Sequence, residues 1–301
     1  MNKLSVVVSA YNEEKNLEDC LKSVREISDE IIVVDNTSTD KTNSIAKKYA
    51  DKVFVRENNL MLNVNKNYGI SRATHDWVLL LDADERVTKE LAQELKSLLS
   101  KDTELDGYTM PRKNIIFGKW IEHTGWYPDR QLRLFKKGKG KFAEKHVHEM
   151  IEVNGEVGEL NEAIYHLNYK NISQFLDKMI RIYTISEAEN LIKNGYKVKM
   201  SDTILIPTKE FVKRFFAEEG FKDGAHGLIL SCLMAFYHLV VFVRVWELSK
   251  YPDCEDTILE FEKGKSEAKK EVKYWLNLKK LEMEKNPVSK ISRRLLQKIS
   301  L

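Results

Sequence analysis

Cysteine is scarce in this 301-residue chain: Cys20, Cys232 and Cys254 lie far apart. That scatter offers neither a disulfide framework nor metal-thiolate spacing, and it points to a reducing compartment. No apolar leader is expected, because Met1-Asn2-Lys3 runs straight into a strand-like segment. Internal repeats, low-complexity linkers and nucleic-acid-reading motifs are missing as well. With a formal net charge of only +3, nothing suggests a nucleic-acid partner. The apolar run Leu228 to Val243 is about 16 residues, short of the ~20 that a spanning helix needs.

What is present fits a globular chain with a real core: 43% apolar and 32% charged residues. The first third alternates strand and helix signals. Leu4–Ala10, Glu30–Val34, Lys52–Arg56 and Trp77–Leu81 read as strands. Glu13–Arg25, Thr42–Tyr49 and Asn63–Ala73 read as helices. Such alternation implies βαβ units and a mainly parallel sheet. The middle is loop-rich, with strand-like segments at Asp106–Arg112, Gln131–Lys136 and Ala163–Leu167. From Ile172 onward the spacing is helical, with further helices expected over Thr208–Ala217 and the charged stretch Glu255–Glu284.

The chemistry concentrates at strand ends. Leu79-Leu80-Leu81-Asp82-Ala83-Asp84-Glu85 passes abruptly from apolar to acidic. Acids after a buried parallel strand sit at its carboxyl end, where open α/β sheets bind ligands. Two aspartates spaced i, i+2 there can hold a hard divalent cation, which in turn neutralises a diphosphate. The bland alternative makes these acids the N-cap cluster of a helix over Thr88–Leu99. Ser9-Ala10-Tyr11-Asn12-Glu13-Glu14 and Asp35-Asn36 occupy the equivalent ends of the first two strands. Each reads alone as a cap or turn.

These stretches together resemble the inverting family 2 glycosyltransferases. The resemblance rests on Val6 to Glu14, Ile31 to Thr42, and Asn67-Tyr68-Gly69-Ile70 leading to Leu81-Asp82-Ala83-Asp84. The segments Gly125 to Phe135 and His146-Val147-His148-Glu149 are similar to a narrower branch that includes lipopolysaccharide inner-core β-glucosyltransferases. The resemblance implies a GT-A fold: a Rossmann-like, mainly parallel sheet with a helical C-terminal extension. Residues 1–170 are then the catalytic domain, its nucleotide-sugar half about 1–105 and its acceptor half about 106–170, and 171–301 the helical region.

By the same resemblance, Ala10, Tyr11, Glu13 and Asp35 hold the nucleobase and ribose, and Lys66 and Asn67 lie on a helix facing the nucleotide. Asp84 is the metal ligand, Asp82 lies nearer the ribose and shares in the metal site, and His148 completes the metal shell. The base that takes the acceptor proton is Glu149, with Asp129 as the second candidate. Trp126, Tyr127 and Arg130 are candidates for holding the acceptor; for the aromatics, core packing is the competing reading. The cofactor implied is Mg²⁺ or Mn²⁺.

The expected activity is transfer of a hexose from a nucleotide-diphosphate sugar, UDP-sugars favoured, to a glycolipid or saccharide acceptor. A sugar-1-phosphate nucleotidyltransferase is the alternative enzyme. It would want a glycine-rich loop where Tyr11-Asn12-Glu13-Glu14 stands. A non-catalytic nucleotide-sugar-binding scaffold is the other alternative. Leu228–Val243 admits three readings: core helix, homo-oligomer contact, or helix in the membrane interface. The tail Ser289–Leu301 carries Lys290, Arg293, Arg294 and Lys298 without an acid, which suits an anionic membrane surface. A cytoplasmic, peripheral location at the inner face of the membrane follows as the expectation.

Overall fold

The computed structural model describes residues 2–58, 62–144 and 150–283. The chain divides into two compact units, Met1–Ile115 with Tyr127–Asn168, and Ile116–Trp126 with Tyr169–Leu301.

The first unit opens with β1 (Leu4–Ala10), α1 (Leu17–Val24), β2 (Glu30–Asp35), α2 (Thr42–Tyr49), β3 (Lys52–Val55), α3 (Leu62–Arg72) and β4 (Trp77–Asp82). It continues through β5 (Glu85–Val87), α4 (Lys89–Leu99), β6 (Gly107–Met110) and β7 (Arg112–Ile116). After β8 (Lys119–Trp120), which falls in the second unit, come β9 (Gln131–Lys136), β10 (Gly140–Lys141), β11 (Glu152–Val153), β12 (Val157–Glu159) and β13 (Ile164–Tyr169). Seven strands form the main sheet in the order β12-β6-β9-β4-β1-β2-β3. The β3-β2-β1-β4 portion is parallel. β9 pairs antiparallel with both β4 and β6.

Nearly continuous apolar runs make this sheet, as expected of strands covered on both faces. Val6, Val8, Leu79 and Leu81 point into one core with Leu17, Leu21 and Leu91. Val7, Ile32, Val78 and Leu80 point into the other with Ile70 and Phe135. The helices differ from expectation at their ends. α1 begins at Leu17 rather than Glu13, because residues 13–16 form a turn in which Asn16 N and Leu17 N both donate to Glu13 O. The segment read as one strand over Asp106–Arg112 is broken at Pro111, which has no N–H to donate, into β6 and β7.

The second unit is helical: α5 (Ile172–Lys178), α6 (Thr184–Lys193), α7 (Asp202–Val212), α8 (Ala225–Leu248) and α9 (Thr257–Met283). Wide π turns at Met179–Tyr183 and Lys213–Ala217 follow α5 and α7. Within this unit Asp223, buried, accepts from Thr124 Oγ1 (2.7 Å) and His123 N (3.1 Å), tying the 122–124 loop to the start of α8. α8 corrects the sequence reading of its length. It runs for 24 residues and is long and apolar enough to cross a membrane by length and composition. One face is core, through Leu230, Val241, Phe242 and Val245. The other leaves Leu228, Ile229, Phe236 and Val243 exposed. The basic tail lies outside the described residues.

Candidate active site

Strand order places the site. β1, β2 and β3 step one way across the sheet, and β4 lies on the other side of β1. The reversal opens a crevice at the carboxyl ends of β1 and β4. Register aligns the strand ends there: Ala10 pairs with Asp35, and Ser9 with Asp82.

Two loops at this edge are clamped to each other. Asn12 N donates to Ser38 Oγ (2.9 Å), and Asn12 Oδ1 accepts from Thr39 N (2.8 Å). Glu13 N donates to Thr42 Oγ1 (2.7 Å), Glu14 N to Asp40 Oδ2 (3.1 Å), and Lys41 N to Glu14 Oε2 (3.2 Å). Beside the clamp, Ala10 and Asp35 are buried and Tyr11 is exposed. Asp35 accepts from Ser38 N (3.1 Å) and Asn43 Nδ2 (2.8 Å), so it also holds the second loop's shape.

The acids after β4 do not cap α4. Thr88 does, its hydroxyl accepting from Leu91 N at 3.1 Å. Asp82 instead sits between two cations: Lys66 Nζ at 2.5 Å from Oδ1, and Arg133 Nη2 at 2.7 Å from Oδ2. Burial alone would raise the Asp82 carboxyl, but Lys66 and Arg133 beside it hold it well below the usual carboxylate range. Glu85, fully buried, accepts from Asp82 N (2.9 Å) and from Arg133 Nη2 (2.7 Å). Arg112 reaches Glu85 at 3.4 Å and clasps Asp129 through Nε (3.0 Å) and Nη2 (2.6 Å).

The network returns through Asn114, whose Nδ2 donates to Asp129 Oδ2 (3.0 Å) and whose Oδ1 lies 2.7 Å from His166 Nδ1. His166 Nε2 faces Asp84 Oδ2 at 3.6 Å. With Asn114 presenting its oxygen, His166 Nδ1 is the donor. Nε2, on the far side of the ring, is directed at the Asp84 carboxylate, an arrangement suited to a bridging cation.

Among the described residues, no three His, Cys, Asp or Glu side chains cluster as a metal site. Asp84 and His166 are the donors placed to contribute to one. Asp82, paired with two cations, is a weaker ligand than expected. His148 and Glu149 lie outside the described residues.

Other expected positions move. Asn67, expected to face the nucleotide, instead clasps Phe142 with its carboxamide, donating to its O and accepting from its N (both 2.9 Å), and donates to Glu144 Oε1 (2.7 Å). Lys66, one residue earlier on α3, is the side chain that reaches Asp82. Asp129 accepts four hydrogen bonds, counting Gln131 Nε2 at 3.0 Å, and Arg112, Asn114 and Gln131 hold its carboxyl low against the effect of burial. That makes it an anchor and a poor proton acceptor. Arg130 binds Leu160 O (3.0 Å) and Glu159 (3.3 Å) on and beside β12. Trp126 belongs to the second unit, where it packs edge-on against Tyr169 with the Arg214 guanidinium 5.8 Å from its ring. Tyr127 is half-buried in the first unit.

Neither His166 nor the pairing of Arg133 with Asp82 was expected in the site. The one signal for His166 is alternation on β13, which puts Ile164, His166 and Asn168 on one face.

This fold and site define an α/β protein with an acidic crevice at the switch point of a mainly parallel sheet, followed by a helical region. The family described as Glycosyl transferase family 2 matches residues 5–154. An uncharacterized glycosyltransferase of Rickettsia bellii is 31% identical, covering 82% of this chain and 87% of that protein. The chain belongs to glycosyl transferase family 2 and is a glycosyltransferase. It is also similar to the lipopolysaccharide core biosynthesis glycosyltransferase LpsC of Rhizobium meliloti: 25% identical over 85% of this chain and 97% of that protein. A third relative is the GalNAc(5)-diNAcBac-PP-undecaprenol beta-1,3-glucosyltransferase of Campylobacter jejuni, 28% identical over 74% and 79% of the two chains.

Proposed function

We propose that this protein transfers a hexose, with inversion, from a nucleotide-diphosphate sugar to a glycolipid or cell-surface saccharide acceptor. A UDP-sugar is the favoured donor. The observation that carries this reading is the alignment of Ala10, Asp35 and Asp82 at one sheet edge, with Lys66 at the acidic end. The nucleoside lies over Ala10, Tyr11, Glu13 and Asp35, and the diphosphate lies toward Asp82, Asp84 and Lys66. The names of the Rhizobium and Campylobacter relatives support an acceptor of lipopolysaccharide or lipid-linked type.

Asp84 and His166 would hold a divalent cation, which stabilises negative charge on the departing diphosphate. Lys66 supplies a fixed positive charge at the same end, where it costs no reorganisation as the bond breaks. Inversion needs a carboxylate to take the acceptor hydroxyl proton, and no covalent sugar intermediate. Glu149 is assigned that role; Asp129, held ionised by Arg112 and Asn114, positions the strand beside it. The exposed apolar face of α8 and the basic residues after Lys285 support a peripheral location at the inner membrane face, where such acceptors lie.

Replacing Glu149 by Gln tests the mechanism. Turnover should fall about 100- to 10,000-fold while sugar-nucleotide binding stays intact. Near-normal turnover would remove Glu149 from the mechanism.

A further inference from the structure

We propose that Arg133, paired with Glu85, is a positioning residue for transfer: together they fix the Asp82 carboxylate in place for the donor. The inference rests on the donor site described under Proposed function and adds the residues that set its geometry.

Asp82 is held at three points. Its backbone N–H donates to Glu85 Oε2 (2.9 Å), its Oδ2 accepts from Arg133 Nη2 (2.7 Å), and its Oδ1 meets Lys66 Nζ (2.5 Å). Arg133 Nη2 also donates to Glu85 Oε1 (2.7 Å), so one nitrogen bridges the two carboxylates and ties the first two restraints together. The bridge comes from β9, the antiparallel neighbour of β4, while Glu85 opens β5.

The restraint is rigid because its members are enclosed. Glu85 is fully buried and Arg133 is 5% exposed. Arg133 Nε is buried without a hydrogen-bond partner. A buried ion pair is no better for stability than apolar side chains of similar volume, and an orphaned guanidinium nitrogen makes it worse. Packing therefore does not account for an Arg–Glu pair here. Its geometric effect does. Asp82 keeps 30% of its side chain exposed, and the buried pair decides which way that carboxylate faces. Lysine could offer one nitrogen to both carboxylates, but on a flexible stem in place of the rigid guanidinium plane, so it holds them less firmly.

Removing Arg133 alone would leave the buried Glu85 with only the long Arg112 contact (3.4 Å) for its charge, and the variant could fail to fold. The informative protein is the double variant Glu85→Gln/Arg133→Gln. It removes one charge of each sign and keeps an acceptor for Asp82 N. Sugar-nucleotide binding, donor KM, kcat and thermal stability are measured for it, for Arg133→Lys and for wild type. A restraint that orients Asp82 toward the donor acts on ground state and transition state alike, so the loss should fall on KM. Donor KM and the dissociation constant should rise about 10- to 100-fold in the double variant, the range for a misdirected charged hydrogen bond, with kcat changing much less. Arg133→Lys should recover only part of the loss. A purely structural role predicts a lower Tm with donor KM unchanged. A folded double variant with wild-type donor KM overturns the inference and leaves the proposed function standing. A wild type that binds and turns over no sugar nucleotide overturns both.

Discussion

Replacing Glu30 by Gln should destabilise the sheet by an amount that depends on pH. Glu30 is 5% exposed at the edge of the sheet opposite the site. Its carboxylate accepts from Ser5 Oγ (2.7 Å) and Thr74 N (3.0 Å) and pairs with Lys52. Burial raises the carboxyl, but Lys52, Ser5 and Thr74 outweigh it and bring the pKa from 4.5 to about 2. A depressed folded-state pKa contributes stability above the unfolded value that is lost as pH falls through the folded one.

Every tenfold weakening of proton affinity on folding is worth ~1.36 kcal/mol, so the ionised Glu30 contributes about 3 kcal/mol near neutrality. Gln mimics the protonated acid. The gap between wild type and variant should be about 3 kcal/mol at pH 7, and should close as pH falls from about 4.5 to about 2. Urea unfolding of both proteins across that range reads the gap, with a Tm difference of roughly 6–12 °C at pH 7 as a second reading. A gap that stays flat with pH, or under about 1 kcal/mol at pH 7, would refute the reasoning.

Two further outcomes are expected. A Cβ on Gly69 would meet Val7 Cγ1 at 2.6 Å and Val34 Cγ2 at 3.0 Å, both in the buried sheet. Gly69→Ala gains about 1 kcal/mol of helix propensity and loses about 1–3 to overpacking. Calorimetry should therefore show no net stabilisation, and donor KM should rise because α3 carries Lys66. Asp129→Asn, retaining the shape but not the charge, should lower stability by about 1–3 kcal/mol and leave turnover within about tenfold of wild type. Turnover abolished at unchanged Tm would make Asp129 the base.

What could be read in the sequence follows from which contacts are local. The strand ends at Ala10, Asp35 and Asp82 are marked by apolar runs that stop in turn-forming or acidic residues, and parallel register brings them to one edge. The network from Asp82 through Glu85 and Asp129 to His166 could not be read, because it depends on β9 entering the sheet antiparallel beside β4 and on β13 pairing with β5, with His166 opposite Glu85. Those pairings join residues separated by tens of positions, and no periodicity encodes them. Asn67 and Lys66 show the other limit: neighbours on one helix point apart, and only packing decides which faces the crevice. α8 is ambiguous in sequence because it is apolar on every side, which hides the division between its core face and its exposed face.

The most direct measurement is equilibrium binding of UDP-, GDP- and dTDP-sugars to wild type and to Asp84→Asn, with and without Mn²⁺. Wild type should bind one class selectively, and more tightly with Mn²⁺. The Asp84→Asn protein should lose that metal enhancement while keeping its fold. No binding of any sugar nucleotide to wild type, with or without metal, would contradict the assignment of this crevice as the donor site.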